Sequence, residues 1–125
     1  MTKTLLVIDD DDDIREIAQL ALQLGASWTV LTAASGPAGV EAATAAPPDA
    51  ILLDVMMPGV DGPATFELLR RGERTRAIPV VFLTAKSRPA ERERLLALGV
   101  SGVLAKPFDP MTLSDQVAAL LGWSM

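Results

Sequence analysis

The sequence predicts a parallel α/β fold, with helices covering both faces of one sheet, and three observations carry that expectation. Apolar runs of four or five residues recur along the chain. Each is followed by a segment with helical three-and-four spacing, the alternation that builds consecutive βα units. The runs are apolar on both alternating faces, as strands buried on both sides must be. With 125 residues, 50% of them apolar and 22% charged, the chain has the size of one domain whose core needs no disulfide or structural metal.

Leu5 to Ile8 is the first strand. Ile14, Ile17, Ala18, Ala21 and Leu24 then repeat as one face of a helix, with Asp12 or Asp13 as its N-cap and Gly25 as its C-cap. Trp28 to Leu31 reads as a second strand. Ser35 caps an alanine-rich helix with Pro37 in its first turn, which Pro47 and Pro48 must stop. Ala50 to Leu53 is the third strand. Met57 to Gly62 is a turn-rich connection into a helix opened by Pro63 and ending near Gly72, where Arg70, Arg71, Arg74 and Arg76 suit the negative helix end as a solvated cap. Val80 to Leu83 is the fourth strand, Pro89 to Leu98 the fourth helix and Gly102 to Ala105 the fifth strand. Met111 to Leu121 is the last helix, with Asp109 or Pro110 at its start.

Composition narrows the chemistry. The chain has no cysteine and no histidine, which excludes thiol chemistry, Ser-His or Cys-His nucleophiles, Cys/His zinc sites and a histidine phosphodonor. Eleven basic against sixteen acidic residues give a net charge of −5, which argues against direct nucleic-acid binding. The first apolar run is too short for a secretory signal, and no stretch reaches the ~18 apolar residues of a membrane span. A cytoplasmic protein with protein partners is expected.

In an open parallel sheet, ligands bind beyond the carboxyl ends of the strands. The residues that follow the apolar runs there are Asp9 and Asp10, Asp54, Thr84 and Lys106. Carboxylates held together repel one another unless a cation, a proton or an ammonium offsets the charge. An all-oxygen donor set points to Mg²⁺ or Mn²⁺. Asp54 is the candidate nucleophile, because four apolar residues directly before it fix its position on the central strand of the expected order. Thr84 and Lys106 would hold the remaining oxygens of a phosphoryl group, so that the chemistry implied is aspartyl-phosphate formation. Met56 and Met57 read as loop packing, because a thioether is a soft ligand in a hard site. Trp28 and Trp123 read as partly buried anchors.

These residues stand in segments that resemble the receiver domains of two-component response regulators: VIDDDDDIRE at Val7 to Glu16, PDAILLDVMMPGVDG at Pro48 to Gly62, IPVVFLTAK at Ile78 to Lys86 and AKPFDP at Ala105 to Pro110. The resemblance covers essentially the whole chain, 1–125, as a single receiver with no output domain. It implies a three-layer, doubly wound, flavodoxin-like (βα)5 fold with a parallel five-stranded sheet of order 2-1-3-4-5. It also implies that Asp54 accepts a phosphoryl group from the phosphohistidine of a sensor histidine kinase or phosphotransfer protein. Mg²⁺ would be held by Asp9, Asp10, Asp54 and the Met56 backbone carbonyl. Thr84 would be the hydroxyl that moves toward the phosphate and Lys106 its ion-pair partner, with a cis Lys106-Pro107 bond aiming the ammonium inward. A face made of helix four, strand five and helix five would signal to a downstream protein, with the chain a monomer or a weak phosphorylation-dependent dimer.

Where many receivers carry Tyr or Phe, three positions before the lysine, this chain has Val103. A relay through the loop at Thr84, Ala85 and Lys86 and the fourth helix is then expected, with Lys86 tuning the phosphoryl lifetime. Three other functions compete. A phosphatase of the haloacid-dehalogenase type needs a second acid where Met56 stands. A flavodoxin-like cofactor protein needs a Gly/Ser/Thr loop where the chain has aspartates. A phosphorylation-independent interaction module would not need the five site residues. The expectation is a chain that modifies only itself and turns over no free substrate.

Overall fold

The computed structural model describes residues 2–124. Five strands alternate with five helices: β1 (Thr4–Ile8), α1 (Asp12–Ala26), β2 (Thr29–Ala33), α2 (Gly36–Ala45), β3 (Ala50–Asp54), α3 (Gly62–Arg71), β4 (Val80–Thr84), α4 (Pro89–Leu96), β5 (Gly102–Ala105) and α5 (Leu113–Leu121). All strand pairs are parallel, in the order β2-β1-β3-β4-β5. This is the doubly wound arrangement the sequence predicts.

The period-two alternation of a strand divides the sheet between two cores. Leu5, Val7, Leu52, Val81 and Leu83 pack with Ala18 and Leu22 of α1 and Leu113 and Val117 of α5. Leu6, Ile8, Ile51, Leu53 and Phe82 face the other way, against Ala43, Phe66, Leu69 and Leu95 of α2, α3 and α4. Every residue of β3 and β4 is buried. Each Leu, Ile or Phe so buried contributes roughly 1.5–3 kcal/mol, which makes these two strands the rigid centre of the sheet.

Several boundaries differ from the sequence reading. The N-cap of α1 is Asp11, not Asp12 or Asp13: its Oδ1 accepts from the amides of Asp13 at 3.0 Å and Ile14 at 3.2 Å. Helix α1 also runs past Gly25 and stops at Ser27, which is left-handed at φ 57°. Gly25 is required for space instead, since a Cβ there would lie 2.3 Å from Ser114 Oγ. β2 is shifted to Thr29–Ala33, because its partners in β1 begin at Thr4. α4 stops at Leu96, and a turn follows to Gly99 at φ 102°. α5 begins only at Leu113, since Asp109 Oδ1 first accepts from the Met111 amide in a separate turn.

Of the two loop methionines only Met57 packs; Met56 is 56% exposed. Trp28 is buried, and Trp123 meets it edge-to-face with ring centroids 5.3 Å apart. The Lys106-Pro107 peptide is cis.

The cap assignment has a direct test. Asp11→Asn keeps an acceptor at the N-cap and Asp11→Ala removes it, so the alanine variant unfolds in urea with about 1 kcal/mol less stability than the asparagine variant. The same pair of substitutions at Asp13 differs by less than half as much.

Candidate functional site

Pairing along the sheet brings the expected residues to one edge. Ile8 pairs with Leu53, so Asp9 follows beside Asp54. Asp54 pairs with Leu83 and Thr84 with Ala105, which places Thr84 and then Lys106 on the other side. Asp9, Asp54 and Thr84 are buried, while Asp10 is exposed at the mouth.

Lys106 is the centre of the arrangement. Its Nζ donates to Asp54 Oδ1 at 3.0 Å. It also stands 3.0 Å from Asp9 Oδ2, an ion pair close in distance but without hydrogen-bond alignment. Asp9 Oδ2 is thus buried and receives no hydrogen bond. The other Asp9 oxygen, Oδ1, accepts from the Asp11 amide at 2.9 Å, and the Asp9 carbonyl accepts from Arg15 Nη1 at 2.8 Å. On Asp54, Oδ1 is also approached by the Met56 amide at 3.4 Å. The Thr84 hydroxyl is engaged in its own loop, accepting from the Lys86 amide at 3.0 Å.

Two supports were not legible in the residue types. Arg15 pins the Asp9 backbone from the second turn of α1. Gly62, at the start of α3, has no room for a side chain: a Cβ would lie 2.6 Å from the Asp54 carbonyl oxygen and 2.7 Å from Val55 Cα. The sequence signal for it was the run of turn residues from Pro58 to Gly62, which marks a tight connection without saying what it must clear.

The electrostatics follow from crowding. Burial raises the Asp54 pKa from 3.8 to about 6; the Lys106 hydrogen bond opposes this, and the charge of Asp9 and the contact with Asp10 add to it. For Lys106 burial alone would favour the neutral amine, but the neighbouring Asp9 and Asp54 outweigh it and hold the pKa above its ordinary value. One carboxylate oxygen from each of Asp9, Asp10 and Asp54 lies within 4.8 Å of the others. This donor set fits a hard divalent cation: it is all oxygen, and one buried oxygen of Asp9 receives no hydrogen bond, only the charge of the Lys106 ammonium.

A raised carboxyl pKa has a definite consequence for stability. The unfolded chain releases this proton near the ordinary carboxylate value and the folded chain near 6, so the group's contribution is full below about 4 and lost as pH rises through 6. Lys106 stays charged throughout that window. Without divalent metal, the stability of Asp54→Asn relative to wild type therefore increases between pH 4 and pH 7, by up to about 3 kcal/mol. Paired urea titrations at the two pH values measure it, and millimolar Mg²⁺ narrows the gap at pH 7 by stabilising the wild type.

The comparisons agree with the geometry. Residues 5–118 match the family described as response regulator receiver domain. The DNA-binding dual master transcriptional regulator RpaA of Synechocystis is 38% identical over 117 residues, covering 94% of this chain and 48% of that protein. The phosphate regulon transcriptional regulatory protein PhoB of Pseudomonas aeruginosa is 35% identical, over 95% of this chain and 52% of its own length. The chain thus spans about half the length of these curated relatives. The chemotaxis response regulator CheY4 of Vibrio cholerae has a structure that superposes with a TM-score of 0.88 at 31% identity, covering 96% of this chain and 99% of that one. With its family matched over nearly its full length and its acidic cluster at the carboxyl edge of a 2-1-3-4-5 sheet, the chain belongs to the receiver domains of two-component response regulators.

Proposed function

We propose that Asp54 is a phosphoacceptor and that the described residues act as one phosphorylation-driven switch. The observation that carries this reading is the Asp54 carboxylate itself. It is fixed at the end of a fully buried strand, hydrogen-bonded to Lys106 and set beside two further carboxylates. A carboxylate oxygen of Asp54 attacks the phosphorus of a partner's phosphohistidine. The new O–P bond forms as the P–N bond breaks, and the leaving imidazole takes up a proton from water. A divalent ion held by Asp9, Asp10 and Asp54, with the Met56 carbonyl, would supply charge neutralisation for the incoming phosphoryl oxygens.

The chain's own residues do the rest. Lys106 is already beside the acceptor oxygen and can follow the charge onto the phosphoryl group. Thr84 must exchange its bond with the Lys86 amide for one to a phosphoryl oxygen. Phosphorylation turns one negative charge into roughly two and adds three acceptor oxygens, which favours the conformer that closes Thr84 and Lys106 around them. Lys86, exposed at the rim of this loop, would tune water access and so the lifetime of the acyl phosphate. The product is the modified protein, so the chain is a switch rather than a turnover enzyme.

Two surfaces suit the partners. Ile17, Leu20 and Leu24 of α1 are exposed and line one groove with Met111, and this strip is our candidate for docking the phosphodonor kinase or phosphotransfer protein. The face of α4, β5 and α5 is the candidate output surface for a downstream protein, with Leu96 of α4 exposed.

The test is incubation with acetyl phosphate and Mg²⁺, read by intact mass. Wild type gains one phosphoryl group that hydroxylamine removes, and Asp54→Asn gains none. A gain that survives the substitution overturns the assignment. Continuous phosphate release from many donor molecules, without an accumulating adduct, favours a phosphatase instead.

A further inference from the structure

Helix α4 is weakly held. Of its eight residues only Leu95 is buried, and its N-cap Arg88 makes no side-chain cap bond. The Arg94–Glu91 ion pair lies within the helix and is exposed. Among the described residues, the side-chain hydrogen bond that leaves the helix is from Arg92, whose Nη1 donates to the Val103 carbonyl at 2.8 Å. β5 is an edge strand paired with β4 alone, so Arg92 supplies a donor to that carbonyl where no further strand does.

This link joins the two halves of the site. Backward from Arg92, the chain passes through the loop at residues 85–88 to Thr84. Forward from Val103, it passes through Leu104 and Ala105 to Lys106, whose amide donates to the Thr84 carbonyl at 2.8 Å. The Val103 side chain cannot carry a movement between these halves: it is fully buried, packed in the cluster of Phe82 and Leu95, and β-branched. The polar contact at its backbone remains.

We propose that Arg92 is a tether, a positioning residue that holds α4 against β5 in the unphosphorylated chain and lets go when the Thr84 loop closes on phosphorylated Asp54. This rests on the phosphoacceptor reading for its second half only. The loop that frees Thr84 from the Lys86 amide leads directly into α4, so closing it pulls on the helix that Arg92 anchors. A bond made in one conformer and lost in the other biases the equilibrium toward the first, and its removal shifts the population toward the second.

Hydrogen–deuterium exchange by mass spectrometry on the full chain tests it, with Arg92→Met, Arg92→Lys and, as a control, Arg94→Met. In the unphosphorylated, metal-free state, Arg92→Met speeds exchange of the α4 amides by about tenfold and leaves those of β1 and β3 unchanged. Arg92→Lys, which keeps one donor, recovers most of the protection. Arg94→Met stays within about twofold of wild type, as loss of an exposed ion pair should. After acetyl phosphate and Mg²⁺, wild-type α4 exchange rises to the Arg92→Met level, and Arg92→Met changes no further.

Unchanged α4 exchange in Arg92→Met overturns the tether, as does a rise shared equally by the whole sheet or by Arg94→Met. Wild type that carries a phosphoryl group but exchanges as before overturns the release. Wild type that gains no phosphoryl mass overturns the phosphoacceptor reading and the release with it, while the unphosphorylated comparison still decides the tether.

Discussion

Two buried carboxylates, Asp9 and Asp54, share one ammonium, and most features of this receiver follow from holding them there. Like charges at about 4 Å repel by roughly 4 kcal/mol at the effective dielectric of a protein surface, so side chains free to do so would separate. These cannot. Each follows a run of apolar residues locked between two cores, and β1 and β3 are hydrogen-bonded neighbours. Hydrophobic burial along the strands offsets the repulsion at their ends. The site is therefore held under electrostatic tension by parts of the fold that have no chemistry of their own. The raised Asp54 pKa is one expression of that tension.

The same constraint explains why the centre of the site was legible in the sequence while its surroundings were not. Asp9, Asp54, Thr84 and Lys106 are readable because strand periodicity and the parallel βα repeat dictate which residues reach the carboxyl edge, before any contact is known. The N-cap of α1 is different. Five consecutive aspartates offer the same side chain at each position, and the choice of Asp11 depends on where the backbone turns from extended to helical. Gly25 misled for a related reason: glycine near a helix end suggests a left-handed cap, but here it makes room for Ser114 of α5, a contact far away in sequence. The turn at Ser27 carries the positive φ instead. Arg92 leaves no trace in any pattern, because a side chain reaching a backbone carbonyl on another element requires no particular residue at the receiving end.

Where a change at Asp54 can be transmitted is decided by how unevenly the fold is packed. β3 and β4 are wholly buried, and close-packed cores respond to strain as blocks. α1 and α5 share the core on one face with six residues of the sheet's inner strands. α4 contributes Leu95 alone to the other. A phosphoryl group on Asp54 offers two or three charge-assisted hydrogen bonds, enough for a differential of roughly 3–5 kcal/mol between conformers. That is enough to offset one hydrogen bond and one leucine contact, and small against the disruption of a sheet core.

Val103 narrows the route further. An aromatic ring at this position would need a cavity to turn into, and a fully buried valine packed against Phe82 neither needs nor leaves one. On the proposed reading, β5 itself would stay in place while the helix beside it moves. Coupling between the acid cluster and the outer face would then run through the loop from Ala85 to Arg88, which is exposed throughout and tied to Thr84 Oγ1 by the Lys86 amide. A receiver built in this way separates a stiff chemical centre from a loosely held lever. The stiffness keeps the carboxylates together, and on the proposed reading the looseness would let a local change of charge be felt at the surface.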